Sequence, residues 1–192
     1  MSILIQSTNN QSKLSKMKKV IFLAVMAVLG LSPMYAQQMN VGSNAANLGI
    51  GFGSSLNGLG SGRPAISASF ERGLWEAGPG VISLGAYVGN TGYTYKSSGY
   101  KYKWNYTIVG ARGAYHFNGI TSVPQLDPYG GAMIGYNIVS YSGSDEYSGS
   151  YGSGMEFSLF VGSRWFFTDN IAAFVELGYG VSYLNLGIAF KF

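Results

Sequence analysis

From Leu184 to Phe192 the sequence alternates without a break. Leu184, Leu186, Ile188, Phe190 and Phe192 are bulky and apolar, while Asn185, Gly187, Ala189 and Lys191 are small or polar. Successive side chains of a β-strand point to opposite faces, so this period of two makes one greasy face and one face that carries a charge. Such a strand is either half buried in a soluble core or one stave of a membrane barrel.

The same pattern recurs upstream. Alternating segments at 47–56, 64–73, 81–94, 104–117, 128–141, 154–167, 171–179 and 182–192 are separated by clusters of Gly, Ser, Asn, Asp and Pro, and no stretch has a convincing helical period. That predicts eight strands, an even number that returns both termini to one end. The connections alternate in kind: 76–80 and 168–170 are short and 118–127 is somewhat longer, whereas 92–103 and 142–153 are long and rich in Tyr, Ser and Gly. Short turns at one end and long loops at the other are the habit of transmembrane barrels.

The parities separate a membrane barrel from a soluble one. Phe157, Leu159, Val161, Trp165 and Phe167 oppose Glu156 and Arg164; Val175 and Leu177 oppose Glu176; Ile66, Ala68 and Phe70 oppose Glu71; Val109, Ala111 and Tyr115 oppose Arg112. In each segment the charge lies opposite the bulkier apolar row. A soluble barrel would place the greasy row inside. The expected fold is therefore all-β, an eight-stranded antiparallel up-and-down transmembrane β-barrel, whose closure leaves no backbone donor unpaired in lipid. Eight strands enclose a bore that side chains fill, which suits the small inward Gly, Ser and Ala.

Composition agrees. The 192 residues include 29 Gly, 15% are aromatic and only 10% are charged, against about a quarter in an ordinary soluble chain. The net charge of +4 resides in Lys13, Lys16, Lys18 and Lys19; from residue 37 onward eight bases meet eight acids. A phosphate-binding groove for nucleic acid is not supported. With no Cys, disulfides, thiolate zinc sites and a lipid-modified cysteine anchor are excluded. Lys18 and Lys19, the apolar run 20–31, Pro33 and the small Ala36 have the three regions of a secretory signal, too short to span as a helix. Cleavage is expected after Ala36, although Met34 stands where a small residue is preferred. Met17 precedes the lysines and is an alternative start. Residues 1–36 are thus read as an extension with a cleavable signal, and 37–192 as the barrel domain.

Glu71, Arg112, Glu156, Arg164, Glu176 and Lys191 share the inward parity, three acids against three bases, and predict a charge network in the bore. Across the turn at 168–170, Arg164 is expected opposite Phe174 and diagonal to Glu176. Two roles are open for this cluster: a structural plug, or a narrow path for protons or ions. His116 is the one imidazole, and its neighbours Tyr115, Phe117 and Asn118 offer no nucleophile, so it reads as a rim histidine. Tyr95, Tyr100, Lys101, Tyr102, Lys103, Tyr147 and Tyr151 lie in the two long loops. Girdles of aromatic residues at the bilayer interfaces account for many tyrosines, while Tyr, Ser and Gly together also make an adaptable contact surface for an extracellular protein or glycan. Gly49, Gly51 and Gly53 superficially resemble a phosphate loop but lead to no helix.

With a signal at 17–36, alternating strands, and an ending that runs through Val175-Glu176-Leu177-Gly178-Tyr179-Gly180 to Phe190-Lys191-Phe192, the chain resembles the small outer-membrane β-barrel proteins of Gram-negative bacteria, of the OmpX-like and general outer-membrane barrel-domain kind. The resemblance covers 37–192. It implies a location in the cell outer membrane, contact with outer-membrane lipid, and Phe192 as the signal read by the barrel assembly machinery. It implies no cofactor and selects no single function, since such barrels serve adhesion, membrane integrity and defence. Three readings stand: a non-enzymatic barrel displaying Tyr/Ser/Gly-rich loops for surface interaction or envelope integrity; a secreted soluble eight-stranded barrel holding a small apolar ligand; and a lipid-modifying membrane enzyme, which would need a Ser and an acid grouped with His116 near the outer leaflet.

Overall fold

A computed structural model of the chain describes residues 38–54, 61–97, 100–120, 122–142, 152–179 and 182–192. The chain divides into two units, Met1–Met34 and Tyr35–Phe192, and the first lies wholly outside the described residues together with the expected cleavage site. The second is a closed ring of eight antiparallel strands in sequence order: β1 (Asn44–Phe52), β2 (Ser61–Ala77), β3 (Gly80–Ser97), β4 (Tyr100–His116), β5 (Leu126–Ser142), β6 (Gly154–Phe166), β7 (Ile171–Gly178) and β8 (Leu184–Lys191). All eight expected strands are present. β8 closes the ring on β1 with Ala45 opposite Lys191 and Phe52 opposite Leu184, and Asn44 and Phe192 extend the seam by exchanging two backbone hydrogen bonds of 2.8 and 3.0 Å.

Alternation works throughout as the parity argument requires. Phe157, Leu159 and Val161 are 57–60% exposed on the outer wall, and Leu48, Ile66, Ile134, Leu177 and Ile188 join them. Glu71, Arg112 and Arg164 are buried in the bore. So continuous an exposed apolar belt is unsuited to water, where large apolar patches aggregate, and suited to a bilayer. Trp75, Trp165 and Phe192 stand outward near one rim and Tyr136, Tyr179 and Tyr183 near the other, as interfacial aromatic residues do. Some inward positions admit no side chain because the backbone of the neighbouring strand stands too close: a Cβ on Gly85 would collide with the carbonyl oxygen of Phe70, and one on Gly187 with that of Leu48.

The strands are unequal. β7 and β8 have 8 residues each and β1 has 9, close to the minimum for crossing a bilayer, whereas β2 to β5 have 17 or 18. The excess projects at the long-loop end. Most of the expected loop 92–103 is strand, because Tyr93, Tyr95, Tyr102 and Trp104 continue the period of two with no Pro to break it, and they pair in register as Tyr93 opposite Trp104 and Tyr95 opposite Tyr102. Tyr100 and Lys101 accordingly belong to β4 rather than to a loop tip. At the other end Gly78, with φ of 60°, and Pro79 make the tight turn between β2 and β3.

Candidate functional site

Inward positions on six strands converge on Arg164 at the short-turn end of the bore. Arg164 lies on β6 opposite Phe174 and diagonal to Glu176, as expected, but its hydrogen bonds go to other partners. It reaches across to Glu71 on β2, donates to Asp127 Oδ2 at 2.9 Å through Nη1 and to Asn47 Oδ1 at 3.2 Å through Nε, and stacks 4.7 Å from the centre of the Tyr129 ring. The diagonal neighbour loses because the bore is so narrow that a long side chain meets the opposite wall first. Glu176 instead accepts from Arg112 Nη2 at 2.8 Å and from the Tyr129 hydroxyl at 3.1 Å, while the Arg112 guanidinium covers the Phe160 ring at 4.0 Å.

His116 is not a rim residue. It is fully buried, with Nδ1 2.8 Å from Asp127 Oδ1 and Nε2 3.0 Å from Ser83 Oγ. Asp127, expected in a turn, is the second residue of β5 and pairs with Arg164 in the register. Ser83 Oγ also donates to Glu71 Oε2 at 2.9 Å. The grouping of a Ser and an acid with His116, which the neighbours in sequence did not offer, therefore exists. Ser83, His116 and Asp127 have the spacing of a hydrolytic triad.

The surroundings are wrong for hydrolysis. All three residues have 0% exposure, so no substrate carbonyl can approach the hydroxyl. The Ser83 hydroxyl is held by the Glu71 carboxylate, and a tetrahedral oxyanion would meet negative charge where it needs donors.

The remaining expected positions divide. Lys191 is buried with its ammonium 5.0 Å from the Phe166 ring centre. Glu156 shares the inward parity but is half-buried opposite Gly135, and among the described residues no cation comes within ion-pairing distance. It stands too close to the long-loop end of β6 to meet the bases below. Above Arg112 the bore narrows to a cavity of about 20 Å³ between Tyr87, Met133, Ser158 and Phe160, about enough for one water molecule. Tyr95 and Lys103 are exposed on the projecting hairpin and Tyr102 is partly so; the side chains of Tyr100 and Lys101 and the whole of Tyr147 and Tyr151 lie outside the described residues. Phe192 is exposed on the outer wall at the short-turn rim.

Asp127, Ser83, Asn47 and Tyr129 complete the cluster and were missed by sequence reasoning. Parity could have placed Ser83 and Asn47 inside. Asp127 was hidden by Pro128, which reads as a turn but occupies the start of a strand.

No protein-family model and no curated protein matches the chain. Solved structures do. The N-terminal β-barrel domain of Pseudomonas aeruginosa OprF aligns with 18% identity and a TM-score of 0.50, covering 79% of this chain and 98% of that one. Ail, the attachment invasion locus protein of Yersinia pestis, solved with the heparin analogue sucrose octasulfate, aligns with 12% identity and a TM-score of 0.50 over 80% of this chain and all of that one. Identities this low speak for the fold alone. The chain is an eight-stranded antiparallel transmembrane β-barrel of the kind seen in these small outer-membrane proteins.

Proposed function

We propose that the chain is a non-enzymatic barrel of the outer membrane that presents its long-loop end for surface interaction or envelope integrity, with the bore serving as a structural plug. The observation that carries this reading is the pairing of a lipid-compatible outer wall with a bore filled by Arg164, Glu71, Asp127 and His116. A protein built to conduct or to catalyse would leave space where these side chains meet. Residues 17–36 act as the cleavable export signal behind an N-terminal extension, Phe192 is presented to the barrel assembly machinery, and outer-membrane lipid covers the belt.

The interaction surface is the β3–β4 hairpin, which stands above the belt and carries a ladder of aromatic rings. Tyr93 and Trp104 stack at 4.5 Å, Trp104 and Tyr141 approach to 5.2 Å, and Tyr95 and Tyr102 to 6.4 Å. Flat rings on the inward face of the hairpin, with Lys96 and Lys103 exposed on its other face, suit a protein or glycan partner. The chain has no Cys, so single cysteines report topology cleanly. Ser97→Cys should react with a membrane-impermeant maleimide on intact cells, Asp169→Cys only after the outer membrane is opened, and the unboiled protein should migrate anomalously on a gel. Labelling of Asp169→Cys but not Ser97→Cys on intact cells would reverse the orientation, and recovery of the protein in the soluble periplasm would refute the reading.

A further inference from the structure

The outer wall carries a feature that neither the belt nor the plug explains. Followed toward the long-loop end, the outward rows of three adjacent strands turn from apolar to polar: after the paired Val88 on β3 and Val109 on β4, and on β2 after Ile66, which lies opposite Asn90. There Arg63 is exposed and hydrogen-bonds to Asn90 and, at 2.7 Å, to Asn105 Oδ1, while Asn90 Nδ2 donates to Thr107 Oγ1 at 2.9 Å. These contacts hold the guanidinium flat against the wall at the upper edge of the belt. Beyond it, Lys103 follows Asn105 on the same face, and Lys96 stands directly opposite Lys101 in the register. Among the described residues no carboxylate lies on this outer face at that end.

Immediately below runs a groove of about 630 Å³ along the same wall, bounded by Leu48, Ile66, Val88 and Ile188 with the small Ala68 between them, and Asn90 lines its upper end. Ile66 and Asn90 are register partners, so the apolar groove and the Arg63 cluster form one continuous surface.

We propose that this surface binds a phosphate-bearing membrane lipid, its headgroup on Arg63 with Lys96 and Lys103, and one acyl chain in the groove over Ala68. The inference rests on the bilayer location argued above. Charge complementarity selects an anionic headgroup, and the apolar continuation selects a lipid rather than a free anion: a soluble phosphate would leave the groove bare. Guanidinium is suited to the task because its planar fork matches two phosphate oxygens.

The test reconstitutes the full folded chain into phosphatidylcholine vesicles doped with phosphatidic acid, extracts it in mild detergent and counts retained lipid by native mass spectrometry. The wild type should retain phosphatidic acid in preference to phosphatidylcholine. Arg63→Gln, which removes the headgroup contact, and Ala68→Phe, which fills the groove from the lipid side, should each lower retention about fivefold. Arg72→Gln, exposed on the same strand toward the short-turn end, should retain lipid as the wild type does. Heat-modifiable migration establishes that each variant is folded. Wild-type retention in both Arg63→Gln and Ala68→Phe overturns the site, as does an equal loss in Arg72→Gln, which would mean attraction by net charge alone. Loss in Arg63→Gln but not in Ala68→Phe overturns the acyl groove and thereby the lipid assignment. A wild-type chain that fails to enter vesicles overturns the bilayer location and this site with it, whereas insertion without lipid preference overturns the site alone.

Discussion

The bore has two halves filled by different chemistry. From Arg112 to the short turns, side chains meet across the lumen: Arg164 on β6 reaches Glu71 on β2 and Asn47 on β1, and Arg112 on β4 reaches Glu176 on β7. From Tyr87 to the long loops the buried inward positions include Tyr93, Tyr106, Ile108 and Thr91, with Glu156 half-buried among the inward row, and the aromatic contacts run along the wall between neighbouring strands. The cause is strand length. Where all eight strands are present the opposite wall is within reach of an arginine. Where β2 to β5 continue past the ends of β7 and β8, no strand of the described residues stands opposite, and rings stack on the next strand of their own sheet. Charges therefore tie strands distant in sequence, while aromatic residues stiffen a local sheet.

Arg164 tests the first half most severely. Arg164→Met leaves the buried Glu71 and Asp127 without the guanidinium that both contact, with only His116 beside them, at a cost of about 3 to 5 kcal/mol in unfolding free energy. Urea titration of the folded protein in detergent micelles should report it as a fall in midpoint with unchanged slope. An unchanged midpoint would mean that the contacts across the bore contribute nothing to closure.

Arg112→Met should cost less, about 3 kcal/mol, because the abandoned Glu176 keeps the Tyr129 hydroxyl. Removing both charges, as Arg112→Met with Glu176→Leu, should recover most of the loss, since an apolar pair of similar volume avoids desolvating two ions. A double variant as unstable as the single one would shift the explanation from charge pairing to packing of Arg112 on Phe160.

Strand existence and facing were legible in the sequence because a strand's pattern is local: a period of two in Leu184 to Phe192 needs no knowledge of its neighbours. The charged inward positions followed from the same rule. Their partners did not. Arg164 and Glu71 are 93 positions apart, and which residues meet across a closed ring depends on the registers of several strand pairs at once, so adjacency in one hairpin pointed wrongly to Glu176. His116 looked solvent-exposed because it ends its strand, yet Asp127 and Ser83 from the flanking strands enclose it. Turn chemistry misled where Pro128 follows Asp127, and the Tyr-rich composition of 92–103 hid strands that tyrosine favours.

Ser83→Ala separates a structural hydroxyl from a catalytic one. Its removal leaves Glu71 Oε2 and His116 Nε2 short of one hydrogen bond each, a loss of about 1 to 3 kcal/mol. Hydrolysis of short-chain ester substrates should be at background in both wild type and variant. Ester turnover that disappears in Ser83→Ala would show that the sealed triad opens, and would break the distinction between a plugged half and a presented half.

Trp104 gives the smallest effect and the sharpest test of the second half. It stacks on Tyr93 and touches Tyr102 and Tyr141, all within the projecting wall. An aromatic pair contributes about 0.5 to 1.5 kcal/mol beyond its buried area, and these rings stand on β3, β4 and β5. Trp104→Ala should therefore speed hydrogen exchange at Tyr93, Tyr95 and Tyr102 and leave exchange at Ala172, Phe174 and Ala189 unchanged. Local opening of this kind belongs to segments with few contacts outside their own motif. If exchange rose equally around the whole ring, the aromatic ladder would be part of the closure rather than a stiffener of the hairpin, and strand length would no longer explain why the two halves differ.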